Sequence, residues 1–252
     1  MGLITKSENE KRKAQKREAK ANRRAAKAGV RKENVRHEKI HYLIVCEGEE
    51  TEPNYFLRIV ESDKISKVVK AEIKGEGMCT SSLVKYAKQE KERLEYEQNI
   101  LFDRVWVVFD KDDFKDFNEA IKLCHEYDFE AGWSNESFEL WYYLHFEYLD
   151  TSINRHDYID KIENFIRKVD GYEKFKYQKN SKFFYDIIQK LGDEEVAIKF
   201  AKKLRDKILS KDYAGSKPCT TIDILVDELR HPEIVLEDIN NNEEIKLKTK
   251  FF

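Results

Sequence analysis

Asp110 and Asp112 stand one residue apart in the stretch Arg104 to Phe114, RVWVVFDKDDF, directly after the apolar, β-favouring run Val105 to Phe109. Such a run reads as a buried strand that delivers its carboxylates at its C-terminal end, where open α/β sheets place their ligands. The competing reading is a strand followed by an acidic helix cap. Upstream, Ile40 to Cys46, IHYLIVC, runs in the same way into Glu47-Gly48-Glu49-Glu50-Thr51-Glu52-Pro53. Glu47 can meet Asp110 and Asp112 only if the two strands are neighbours with a common carboxyl edge. Carboxylates gathered with no basic partner in their motifs repel one another. A hard divalent cation, Mg2+ or Mn2+, is the usual remedy, and metal-dependent phosphoryl transfer is the reaction class that follows.

Other chemistries lack their residues. There is no G-x-x-x-x-G-K-[ST] loop for nucleotide hydrolysis, no G-x-G-x-x-G after the first strand, no H-E-x-x-H and no G-x-S-x-G. Cys46, Cys79, Cys124 and Cys219 are dispersed with no C-x-x-C pair, which argues against structural zinc and fits free thiols in a reducing compartment. No apolar segment approaches the length of a membrane span, and the charged N-terminus lacks the apolar core of a signal peptide. The expectation is a cytoplasmic protein with no membrane contact.

The elements that must position these acids alternate. Ile40 to Cys46 predicts a first strand buried on both faces. Gly48 permits a turn after Glu47, and Thr51 is placed to cap a helix carrying Tyr55, Phe56, Ile59 and Val60. Lys67 to Lys74, KVVKAEIK, alternates as a second strand, followed by a helix from Thr80 or Ser81 to about Glu97. The third strand is Arg104 to Phe109, the third helix Phe114 to Tyr127, and the fourth strand Phe129 to Trp133. Next, Phe138, Trp141, Tyr142 and His145 recur at helical spacing with Ser134 or Asn135 as the cap. This rhythm predicts an α/β fold with a mainly parallel sheet and right-handed crossovers. Beyond it the pattern is helical, over Asp157–Val169, Ser181–Leu191, Glu194–Lys211 and Thr220–Leu229. The basic, aromatic linker Tyr172 to Asn180 lies between the first two. The expected division is a basic arm over 1–38, an α/β domain over 39–150, and a mainly helical region over 151–252 packed upon it.

Charge is distributed unevenly. Of 252 residues 38% are charged, and the formal net charge is only −2. Residues 1–38 nevertheless carry about eight more basic than acidic side chains, so the remainder is acidic by roughly ten. The arm has almost no apolar residue larger than Ala and no face to bury. It is expected to be a frayed helix or a flexible segment that orders against a polyanion, with Lys13, Arg17, Arg23 and Arg24 offering sequence-independent phosphate contacts.

Four blocks in order, IVCEGEETEPNYF, VVFDKDDF, SNESFELWYYLHF and KPCTTIDILVDEL, together resemble the RloB family of prokaryotic restriction and abortive-infection loci. The resemblance covers roughly residues 38–230. It implies a Toprim-like domain, the Rossmann-like module of topoisomerases, primases and overcoming-lysogenization-defect nucleases. In that module an acid follows the first strand and a D-x-D the third. Carried over, Glu47 matches the first acid, while Asp110 and Asp112 match the D-x-D and become metal ligands. Glu47 is then either a ligand or the acid–base group. Glu52 is a carboxylate that supports the metal's ligands or binds a second metal, or else simply the start of a helix. Glu139 matches the glutamate of the S-N-x-x-F-E-L-W block and, one turn beyond Asn135, becomes a further ligand. Glu136 stands where many members have proline and adds an acid. Lys179 and Lys217 are the candidates to neutralise charge on a phosphate, against a reading as solvated lysines; Asp113 falls to a cap or bystander. The resemblance further implies a divalent-metal-dependent nuclease on RNA or DNA in phage defence, with an ABC-type ATPase partner and a possible homo-oligomer. The alternative is a non-catalytic metal- or nucleotide-binding regulatory subunit.

Overall fold

A computed structural model describes residues 39–62, 64–78, 80–111, 115–208, 212–237 and 239. The basic arm with Lys13, Arg17, Arg23 and Arg24, and also Asp112 and Asp113, lie outside the described residues. The first elements are β1 (Ile40–Cys46), α1 (Thr51–Val60), β2 (Val69–Gly75), α2 (Thr80–Gln98), β3 (Arg104–Asp110), α3 (Phe117–Glu126) and β4 (Glu130–Asn135). There follow α4 (Glu139–Leu144), α5 (Arg155–Arg167), α6 (Phe184–Leu191), α7 (Glu194–Arg205), β5 (Cys219–Thr220) and α8 (Ile222–Arg230). The chain is α/β, as its sequence predicts. The sheet order is β2-β1-β3-β4-β5, parallel except at β5.

The central strands are apolar throughout because both faces are covered. Tyr42 and Ile44 of β1 and Trp106 and Val108 of β3 point to a core shared with α1, α4 and the C-terminal helices. Leu43, Val45, Val105, Val107 and Phe109 point to the opposite core, under α2 and α3. On the first face Tyr55 of α1 meets Phe56, Phe138, Trp141, Tyr142 and Tyr185, with ring centroids 5.3 to 6.5 Å apart. The contacts with Trp141, edge-on, and Tyr142, tilted, join α1 to α4, the two helices that carry Glu52 and Glu139. No helix of the described residues is long and apolar enough to cross a membrane.

Several boundaries differ from expectation for physical reasons. Thr51 does not cap α1: no side-chain cap bond forms there, and its hydroxyl donates to the carbonyl of Lys179 instead, at 2.9 Å. Ser134 and Asn135 do not cap the aromatic helix, because they continue β4 and pair with Thr220 and Cys219. That antiparallel partner, β5, is two residues long and too short for any periodicity to announce. Helix α4 therefore begins only at Glu139, while α7 ends at Arg205, short of Lys211. His145 is a buried core histidine whose Nδ1 lies 2.9 Å from the Trp141 carbonyl, and burial lowers its pKa to about 4.

Candidate functional site

The register of β1 and β3 pairs Cys46 with Val108, so the acids that follow emerge side by side at the carboxyl edge. Past the end of β1 the Glu47 backbone N–H donates to the Val108 carbonyl at 2.8 Å, which extends the ladder to Glu47 itself. The Glu47 carboxylate turns back and accepts the Asp110 backbone N–H at 3.0 Å. Glu47 is thereby oriented by the strand that delivers Asp110.

Glu52 reaches the same edge from the first turn of α1. Its side chain is buried at 4% exposure, and its Oε2 has no hydrogen-bond partner. Gly48 makes this position possible, since a Cβ there would stand 2.1 Å from that oxygen. Gly75 supports the turn in its own way: a Cβ on it would meet the Gly48 carbonyl oxygen at 2.4 Å and the Glu49 Cα at 2.6 Å. Gly75 is thus required by close backbone approach, whereas at Gly48 a Cβ would displace only the end of the Glu52 side chain.

Glu139, at the start of α4, is buried at 2% exposure. Its Oε1 accepts from the Tyr177 hydroxyl at 3.2 Å, and its Oε2 lies 3.7 Å from Nε of Arg155. The Arg155 Nη2 donates to Asp110 at 3.0 Å, so one guanidinium spans two of the acids. Lys179, held by the Thr51 hydroxyl through its carbonyl, lends positive potential to Glu52.

The electrostatics follow from crowding. Burial pushes the Asp110 carboxyl well above the usual carboxylate range, the negative charges of Glu52, Glu139 and Glu47 push it further, and Arg155 opposes them. Glu52 is raised for the same leading reason, burial, with Glu139 adding to it and Lys179 and Arg155 opposing. The Tyr177 hydroxyl is held far above its normal range by burial and by Glu139, which keeps it a donor to that carboxylate.

The structure therefore gathers Glu47, Glu52, Asp110 and Glu139, with Lys179 close by. Lys217 is placed differently: its Nζ pairs with Glu136 at 2.7 Å, in a cleft beside the acids. Arg155 and Tyr177 are the members that sequence reasoning missed. Arg155 did leave a signal. It occupies the first position of a helix capped by Asn154, where the macrodipole mildly disfavours a cation and a nearby anion would offset that. Tyr177 left none beyond its place in YQKN.

The donor set, carboxylate oxygens with one buried oxygen unpartnered, fits Mg2+ or Mn2+ chemically. Among the described residues no three His, Cys, Asp or Glu side chains are grouped to hold an ion, and Arg155 lies between Asp110 and Glu139. A cation taken up here requires Arg155 to yield. The family model described as RloB-like protein matches residues 42–229 of the chain. No curated protein and no solved structure matches it.

Proposed function

The chain belongs to the RloB-like protein family, and from that premise we propose that it is a divalent-metal-dependent, Toprim-type nuclease that hydrolyses phosphodiesters of RNA or DNA in antiphage defence. The observation that carries this reading is the convergence of Glu47, Glu52, Asp110 and Glu139 at the carboxyl edge of adjacent parallel strands, more negative charge than Arg155 balances. With Arg155 moved from between Asp110 and Glu139, Glu47, Asp110 and Glu139 would hold Mg2+ or Mn2+, and Asp112, outside the described residues, is the further ligand proposed from the D-x-D spacing. Bound there, the cation supplies polarisation of the phosphoryl oxygen and an acidified water. Glu47, which accepts the Asp110 N–H at one carboxylate oxygen, would hold a proton at the other. Lys179 would offset charge on the phosphoryl group, and so would Arg155 once it has yielded its place between the two acids. The absence of an ATP site in the sequence accords with control by an ABC-type ATPase partner, and the basic arm accords with a polyanionic substrate.

One observation favours a second reading. Arg155 already occupies the space between Asp110 and Glu139, as expected of a regulatory subunit whose acids are structural. Cleavage of mixed tRNA, single-stranded and plasmid substrates in Mg2+ or Mn2+, with and without the ATPase partner, separates the two. The nuclease reading expects Glu47→Gln and Asp110→Asn each to lower cleavage by about a thousandfold or more with the fold intact, and EDTA to abolish it. Cleavage surviving both substitutions would refute it.

A further inference from the structure

Arg155 has a second neighbourhood. With Lys111, His156, Lys217, Asn135 and Glu136 it lines an open cleft of about 420 Å³, within the range of small-ligand sites. Setting aside Arg155, whose guanidinium is engaged by Asp110 and Glu139, the cleft lining sets Lys111, Lys217 and a histidine against one carboxylate, although the chain beyond residue 38 is acidic by roughly ten. Positive charge concentrated on an acidic protein calls for an anionic ligand.

The walls are built rather than incidental. Lys111 follows Asp110, and its backbone N–H donates to the Ser134 carbonyl at 2.8 Å, which carries the β3–β4 ladder one step past the acids. Buried Asn135 donates through Nδ2 to the carbonyls of Tyr213, Ala214 and Ser216 at 3.2, 2.9 and 3.0 Å. Those bonds tie the segment that bears Lys217 to the end of β4. Within the cleft the Glu136 carboxylate sits on the Lys217 ammonium at 2.7 Å, with each side chain about one-third exposed (32% and 31%). An ion pair this accessible is weak, and a more highly charged anion can exchange for the carboxylate.

We propose that this cleft is a binding subsite for the phosphate group of a nucleotide. Lys217 and Lys111 hold the phosphate, Arg155 and His156 line the cleft beside them, and Glu136 is the resident carboxylate that it displaces. The assignment rests on the nuclease reading only in saying which phosphate is held, namely the one next to the scissile group. It moves Lys217 from the scissile phosphate to its neighbour.

The test measures binding in EDTA, so that no cleavage intervenes, using fluorescently labelled single-stranded RNA and DNA ten-mers and AMP as competitor. Lys217→Ala and Lys111→Ala are expected to weaken binding about 5- to 30-fold and to flatten the salt dependence by about 0.7 in the log–log slope for each lost contact. Glu136→Gln, which frees Lys217, is expected to tighten binding about 3- to 10-fold, a gain that a merely structural role for the pair would not produce. Competition by AMP that follows the same order of variants shows that free nucleotides enter as well. Failure of AMP to compete places the phosphate on a strand. Wild-type affinity and salt slope in all three variants, with both probes, would overturn the proposal. The two readings fail separately. Variant-sensitive binding by a protein that never cleaves in Mn2+ upholds the subsite and sinks the nuclease, whereas a cleaving protein with variant-insensitive binding does the reverse.

Discussion

The protein keeps charges out of water in two regions, and they are balanced differently. On the helical side each carboxylate has an arginine of its own. Arg205 grips Asp223 with both terminal nitrogens, one of which also donates to the Thr220 carbonyl at 2.9 Å. Arg230 binds Glu194 at 2.7 and 2.9 Å, with Gln189 donating to the same carboxylate. At the carboxyl edge of the sheet four carboxylates converge, one guanidinium, that of Arg155, bridges Asp110 and Glu139, and one buried oxygen of Glu52 has no hydrogen-bond partner. Matched pairs answer the needs of folding. Burial raises the carboxyls of both Asp223 and Asp110, but at Asp223 Arg205 leads the opposition, whereas at Asp110 the charges of Glu52 and Glu139 add to burial ahead of what Arg155 takes away. Such an unmatched set opposes folding and is retained for something the fold alone does not require.

The contrast breaks most readily through its arginines and acids. Arg205→Ala strands Asp223 in the interior and is expected to cost about 3–5 kcal/mol in urea unfolding, whereas Asp110→Asn in metal-free protein is expected to cost nothing and to gain about 1 kcal/mol. Equal losses in the two would make the edge acids ordinary structural pairs.

A pH series sharpens the same point. A carboxyl with a folded pKa above its unfolded value binds its proton more tightly when folded. Its stabilising contribution is therefore present below the ordinary carboxylate pKa and is lost as pH rises from there through the raised folded value. For Asp110 and Glu52 the metal-free protein should thus lose stability as the solution moves from mildly acidic towards neutral, and Asp110→Asn should flatten that loss. Thermal unfolding across pH checks this, and a parallel response in the two proteins would contradict it.

The smallest change is Gly48→Ala. Its Cβ would displace the Glu52 carboxylate, and we expect stability to shift by less than about 1 kcal/mol while metal-dependent activity falls about tenfold. An unchanged activity would remove Glu52 from the site.

Legibility in the sequence follows the range of the interactions. Strands β1 and β3 could be read because sheets covered on both faces demand continuous apolar runs, and Glu47 and Asp110 could be read because they end those runs. The repeated strand–helix rhythm gives a parallel sheet but not the order β2-β1-β3-β4, so the adjacency of β1 and β3 was not legible. Strand β5 was illegible because two residues carry no pattern, and it changed the fate of Ser134 and Asn135. Thr51 looked like a cap, but its hydroxyl was claimed by a carbonyl 128 positions away. Arg155 lies 45 residues from Asp110, and only its unfavourable place at a helix start hinted at an anion.

The central claim is that the charge imbalance at the sheet edge exists for a divalent cation. Calorimetric titration of Mn2+ into wild-type protein and Asp110→Asn tests it without any substrate. The claim predicts a saturable binding event in the wild type that vanishes in Asp110→Asn, and that tightens in Arg155→Gln because the competing guanidinium is gone. Identical weak binding by all three proteins would contradict it.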